Sequence, residues 1–336
     1  MTRQPEAPAR IGVIKPCCIG DCVMTLPTLD SLAAAFPAAE LRVYVGPHSR
    51  AVFEQRDRWE LQTIPDRITP AAATRLAITV RQDRLDLVVV LERSRLLRAA
   101  LDTLAGARVA AVAIVRPEVR HESVAYLDVL RALAIEPSVT APALTPTPQE
   151  VETARQLLAR WPRPVILHPG GAENPGATMP DKRWPADRYA ALARSLEADG
   201  HPVVFSGGPG DREVVGRIIA AAGLLPDRSL AGRVDLALAP AVVAQAGLFV
   251  GGDTGMSHIA AAAGAPVVTI FGPTNPRRYR PLGERVTVLA PKASWRLPDV
   301  DLRHADVASL PATSSVSLDE VVEACRAALS PQAVAT

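Results

Sequence analysis

The residues best suited to chemistry gather where an apolar run gives way to glycine or an acid. One such place is Phe249-Val250-Gly251-Gly252-Asp253-Thr254-Gly255-Met256-Ser257-His258. A strand ends there, Gly251 and Gly252 permit a tight turn, and an alanine-rich helix opens at Asp253-Thr254-Gly255. The first amides of a helix have no acceptor inside it, and its dipole favours negative charge. Thr254 and Gly255 are therefore candidates to hold an anion such as a phosphate, with His258 one turn further in. The same residues also fit an ordinary helix capped by Asp253 or Thr254, with His258 on its surface. Ser257 and His258 are adjacent and point apart on a helix, which excludes a nucleophile–base pair.

The other place is Lys15-Pro16-Cys17-Cys18-Ile19-Gly20-Asp21-Cys22, ahead of a helix expected from Val23. Gly20 is the turn glycine that permits close backbone approach, and Asp21 stands at the helix start. A carboxylate there can be an N-cap that stabilises the first turn by about 1 kcal/mol, or a general base. Position alone leaves both open. Arg277-Arg278-Tyr279-Arg280 follows Phe271-Gly272-Pro273-Thr274; Arg277 and Arg280 fit either a solvated basic loop or contacts to an anionic acceptor.

Several familiar motifs fail. In Gly207-Gly208-Pro209-Gly210-Asp211-Arg212-Glu213, Glu213 stands where a dinucleotide fingerprint needs its third glycine. Gly171 and Gly176 have phosphate-loop spacing, but Ala177 replaces the required lysine. Asp299-Val300-Asp301 has a metal-binding D-x-D form in a late loop rather than after a strand. Cys17, Cys18 and Cys22 lack the two C-x-x-C pairs of a zinc site, although Cys22 beside Asp21 invites a reactive thiol.

Short Val/Ile/Leu runs alternate with helical spacing almost throughout, which predicts parallel sheets covered on both faces. Strands are expected at Ile11 to Lys15, Leu41 to Val45, Leu87 to Leu91 and Val109 to Ile114, with helices at Val23 to Phe36, Ala71 to Arg84 and Arg95 to Leu104. Prolines 137 to 164 interrupt the pattern, and it restarts with a strand at Val165 to His168. The expected organisation is a first doubly wound α/β domain (1–145), a linker (146–163), a second such domain (164–315), and a terminal helix (316–336) able to pack back on the first. Two such domains would face a central cleft where ligands bind.

The 336 residues contain 37 basic and 35 acidic side chains, for a net charge of +2. This balance argues against nucleic-acid binding. The bases are 34 arginines and only three lysines, Lys15, Lys182 and Lys292, so each lysine draws notice. No apolar run is long enough to cross a membrane, and Met1 to Arg10 lacks the apolar core of a signal peptide. A cytoplasmic monomer is expected, with at most peripheral membrane contact.

Four blocks in order resemble glycosyltransferase family 9, the bacterial heptosyltransferases. They are Gly20-Asp21 with Met24-Thr25-Leu26-Pro27, His168-Pro169-Gly170-Gly171 with Lys182-Arg183-Trp184-Pro185, Asp253 to His258, and Phe271 to Thr274. The resemblance implies a GT-B fold and inverting transfer of heptose from ADP-L-glycero-β-D-manno-heptose to an acceptor hydroxyl, with lipopolysaccharide biosynthesis as the setting. It makes Asp21 the base. It assigns the donor diphosphate to Thr178 and Lys182 beside Thr254, Gly255 and His258, and the nucleoside and sugar to Asp211, Val234 and Asp253. Gly20, Gly170 and Gly252 become the glycines of the site. No metal or other cofactor is implied. The acceptor would be the lipopolysaccharide inner core, met by Arg50, Arg56, Arg58, Arg93, Arg95 and Arg98, or a small molecule such as an aminoglycoside or nucleoside. A non-hydrolysing nucleotide-sugar epimerase and a non-catalytic nucleotide-sugar-binding protein are the other readings.

Overall fold

Val, Ile and Leu fill the central strands because each is covered on both faces. The computed structural model describes residues 7–54, 57–114, 119–171, 173–174, 177–298 and 309–330, with side chains left out at 173, 174, 177 and 178. The chain divides into two units, Met1–Pro142 and Ala143–Thr336.

The first unit runs β1 (Arg10–Ile14), α1 (Ile19–Ala35), β2 (Glu40–Val45), β3 (Trp59–Thr63), α2 (Pro70–Gln82), β4 (Leu87–Val90), α3 (Arg95–Leu104), β5 (Arg108–Ala111) and α4 (Glu122–Arg131). Its sheet is wholly parallel in the order β3-β2-β1-β4-β5. Ile14, Tyr44, Val88 and Val90 pack with Leu76 and Val80 of α2 and Leu97 and Leu101 of α3. The alternate residues Ile11, Val13, Val43 and Val89 are buried as well, and α1 lies beside α4. The chain winds outward from β1, then returns to place β4 at its other side. The loops after β1 and β4 therefore flank the point where strand order reverses, the usual ligand position in such sheets.

The second unit begins with α5 (Pro148–Leu157), inside the stretch expected to be a linker, and continues with β6 (Val165–His168). A short hairpin, β7 (Glu173–Asn174) and β8 (Ala177–Thr178), precedes α6 (Ala186–Ala198), β9 (Val203–Phe205), α7 (Arg212–Ala221) and α8 (Ala239–Ala244). Then come β10 (Leu248–Gly252), α9 (Gly255–Ala262), β11 (Val267–Ile270), α10 (Pro276–Tyr279), β12 (Val286–Leu289) and α11 (Leu318–Leu329). The parallel order is β12-β11-β10-β6-β9, so strand order reverses between β6 and β10. The terminal helix, which the sequence allowed to return to the first domain, puts Val321, Val322 and Cys325 into the second unit's core against α6. Its apolar stripe fits the sheet face that α6 and α7 leave open.

One helix starts earlier than expected. α1 begins at Ile19 rather than Val23, with Cys18 as N-cap, which places Gly20 and Asp21 within the first helical turn. Gly20 is thus helical rather than a turn glycine, and Asp21 is not the N-cap. α9 begins at Gly255, with Thr254 as N-cap. No helix among the described residues is long and apolar enough to cross a membrane.

Candidate active site

The reversal point of the first sheet holds a cluster of charge. Lys15 follows β1, and its ammonium lies 3.6 Å from Asp21 Oδ2 and 3.2 Å from Glu92 Oε2, just beyond β4. Its Nζ also stands 5.7 Å from the centre of the Tyr126 ring on α4. Burial disfavours the lysine's charge, but Asp21, Tyr126, Glu92 and Cys22 outweigh it and hold the ammonium pKa well above its ordinary value. Burial raises the Cys22 thiol to about 12 despite Lys15. The reactive-thiol expectation therefore fails, because a thiol so far from ionising is a poor nucleophile. Cys17 and Cys18 form an adjacent bonded pair ahead of α1.

Most arginines expected to meet the acceptor have partners within the unit. Arg50 donates to Leu61 O and Thr63 Oγ1, and Arg58 to Ala33 O and Pro37 O. Arg93 pairs with buried Glu122, and Arg98 with Asp102. Arg56 lies outside the described residues.

At the reversal point of the second sheet, β10 ends at Gly252 and α9 follows. Thr254 caps no amide with its side chain, and its Oγ1 is buried with no hydrogen-bond partner among the described residues. Asp253 pairs with Lys182 at 2.7 Å and accepts the Thr274 hydroxyl at 2.7 Å. Lys182 thus stands beside the start of α9, paired with Asp253. His258 is buried rather than exposed. The Ser257 hydroxyl donates to Gly252 O at 2.7 Å. A side chain at Gly252 would press the Lys182 carbonyl, 3.0 Å from the added Cβ.

β6 ends in His168, whose Nδ1 lies 2.9 Å from Ser206 Oγ. Burial lowers its pKa to about 4, against the pull of Asp211 and with Arg183 adding to the fall, so the ring is neutral near pH 7. Asp211 is buried and accepts the Gly208 amide at 2.8 Å. Gly170 is required beside it, since a Cβ there would fall 2.2 Å from the carboxyl carbon. Gly171 has φ +82°, and an added Cβ would lie 2.7 Å from Thr254 Cγ2. Arg183 ties this loop down by donating to Gly171 O at 3.0 and 2.8 Å. His168, Asp211, Lys182, Asp253 and Thr254 thus belong to one group of loops at the carboxyl ends of β6, β9 and β10.

Thr178 lies in β8, but its side chain is outside the described part, as are Asp299 and Asp301. Val234 is half-buried in the turn before α8. Arg277 and Arg280 are exposed and line a separate cavity of about 450 Å³ with Val286, Val288 and Trp295. Among the described residues no group of three His, Cys, Asp or Glu is placed to hold a metal. Sequence reasoning missed Glu92, Tyr126 and Ser206, and named Thr274 only as part of its block. For Glu92 a signal existed, since it directly follows an apolar strand.

Two doubly wound parallel units are the arrangement of the GT-B fold class. A crystal structure of a glycosyltransferase family 9 protein from Veillonella parvula shares the fold, with TM-score 0.76 and 21% identity over 96% of this chain and 97% of that one. The Escherichia coli ADP-heptose lps heptosyltransferase II structure gives TM-score 0.73 and 23% identity over 95% and 98%. The family model "Glycosyltransferase family 9 (heptosyltransferase)" matches residues 131–305, and the chain belongs to that family. It is 36% identical over 162 residues to lipooligosaccharide heptosyltransferase 2 of Haemophilus influenzae, covering 45% of each chain. Against lipopolysaccharide heptosyltransferase 2 of E. coli it is 35% identical over 140 residues, 41% of this chain and 39% of that one. The matched segments thus span less than half of those two relatives. Membership favours sugar transfer over the epimerase reading.

Proposed function

We propose that the protein transfers heptose, with inversion, from ADP-L-glycero-β-D-manno-heptose to a hydroxyl of the lipopolysaccharide inner core. The observation that carries this reading is the largely buried Lys182–Asp253 pair at the start of α9, beside the Thr254 hydroxyl that has no partner among the described residues. A cation, open helix amides and a hydroxyl donor make a site for a diphosphate. The inner-core acceptor follows the relatives, which are lipopolysaccharide or lipooligosaccharide heptosyltransferases; none of them favours a small-molecule acceptor.

The acceptor hydroxyl loses its proton to Asp21 as its oxygen attacks the anomeric carbon opposite the diphosphate. The bond from that carbon to the phosphate oxygen breaks, and ADP leaves carrying the electron pair. Lys182, the Gly255 amide, Thr254 and His258 receive the new charge, the term that usually contributes most to such catalysis. Thr178 completes the diphosphate contacts. Asp211 and Val234 take the nucleoside, and Arg277 and Arg280 meet phosphate groups of the acceptor. Because the protein supplies its own positive charge, we assign no metal to the step, and transfer should persist in excess chelator. A nucleotide-sugar donor places the reaction in the cytoplasm.

Calorimetry with ADP, GDP and UDP, together with a transfer assay, tests this reading. ADP should bind best, and a clear preference for UDP would overturn the donor. Asp21→Ala should keep ADP affinity while transfer falls roughly 10²–10⁴-fold. Near-normal turnover in that variant would remove Asp21 as the base.

A further inference from the structure

We propose that Lys15 is the positioning residue of the Asp21 carboxylate, held in place by Glu92 as a second anchor; this rests on the reading of Asp21 as base. The three residues come from different elements: Lys15 follows β1, Asp21 lies in the first turn of α1, and Glu92 follows β4. They meet only because strand order reverses between β1 and β4. The Lys15 side chain is 5% exposed, whereas Asp21 and Glu92 are 30% and 29% exposed. The cation is therefore sealed beneath two carboxylates that reach solvent.

A buried ammonium is costly unless counter-charges surround it. The chain uses arginine nearly everywhere else, so a lysine here points to a need for a compact charge that fits between two carboxylates. The ammonium lies 3.6 Å from Asp21 Oδ2 as a charge contact, drawing that oxygen toward it and favouring the ionised carboxylate before the acceptor arrives. Glu92 draws on the same ammonium, so Lys15 is not given wholly to Asp21. Cys22 is protonated and adds no charge. Tyr126 is also protonated, with its pKa raised by burial and then by Asp21 and Glu122. Beside it Glu122 is balanced by Arg93. The cluster thus carries one negative charge in excess, which a proton taken up by Asp21 cancels. Lys15 keeps the base ionised, and Glu92 keeps it basic.

The test is a carboxyl NMR titration of Asp21 in the full chain, for wild type, Lys15→Met and Glu92→Gln. Lys15→Met should raise the pH of Asp21 titration by about one unit or more. Glu92→Gln should lower it, because the ammonium then serves Asp21 alone. The acid limb of kcat for transfer should move the same two ways, with the donor KM within about twofold of wild type. A role confined to packing moves neither limb. An Asp21 titration that both variants leave in place, or shift in one direction, overturns the proposal. Should Lys15→Met fail to fold, Glu92→Gln decides alone, and a titration unmoved or raised in it overturns the proposal. Absence of transfer by the wild type would defeat the functional reading separately, while the titration would still judge the Lys15–Asp21 coupling.

Discussion

Lys182 and Asp253 have side chains only 13% and 8% exposed, so neither charge tolerates losing its partner. Lys182→Met would leave Asp253 with the Thr274 hydroxyl and no cation, at a cost of roughly 3 kcal/mol. Adding Asp253→Asn should recover most of that stability, because the buried charge is gone. ADP binding should stay weak in both variants if Lys182 is the cation that meets the diphosphate, as proposed. Thermal unfolding and calorimetry on the two variants separate these effects, and ADP affinity restored in the double variant would contradict Lys182 as the phosphate ligand. Lys182 was legible in the sequence through the scarcity of lysine and its block. The anchoring by Asp253 was not, because it depends on bringing the ends of β10 and the Lys182 loop together across 71 positions of chain.

The Lys182 loop is in turn braced by the segment that leads into α11. Thr313 Oγ1 donates to Arg183 O at 2.8 Å and approaches Asp181 O at 3.3 Å. Trp184 Nε1 donates to Val316 O at 2.9 Å, and Arg188 adds two bonds to Ser314 O and Val316 O. Thr313 is buried, so Thr313→Val keeps the volume but removes the hydroxyl that grips the loop on either side of Lys182. We expect ADP affinity to fall several-fold with stability lowered by about 1 kcal/mol. An unchanged affinity would show that the loop holds Lys182 without the brace. The central strands that present these loops were readable as apolar runs, and α11 by its helical spacing. β3 was missed because it is an edge strand whose Glu60 and Gln62 break the run, and β12 is likewise an edge with only half-buried valines and Leu289. The start of α1 was misplaced because Pro16-Cys17-Cys18 offers neither a hydroxyl nor a carboxylate to mark the N-cap.

Each unit has its own sheet and its own core, and the proposed chemistry divides the same way, with Asp21 in the first and Lys182 in the second. The family model covers 131–305, which lies almost wholly in the second unit, the unit that holds the proposed diphosphate site. A fragment of residues 143–336 should therefore fold by itself. Leu144 marks the natural cut, since it is buried and its amide bonds to Ala262 O at 2.9 Å, within the same unit. The fragment retains α5, both faces of its sheet, and α11 against α6, and it contains every group that binds the diphosphate in the proposed function. It should unfold cooperatively, bind ADP within a few-fold of the full chain and lose that binding with Lys182→Met. It should transfer no sugar, because the base is absent. A fragment that folds but binds ADP 100-fold more weakly would show that the first unit contributes directly to donor binding. Transfer by the fragment would be the stronger result, because it would move the base into the second unit and leave the carboxylates around Lys15 without a part in the reaction.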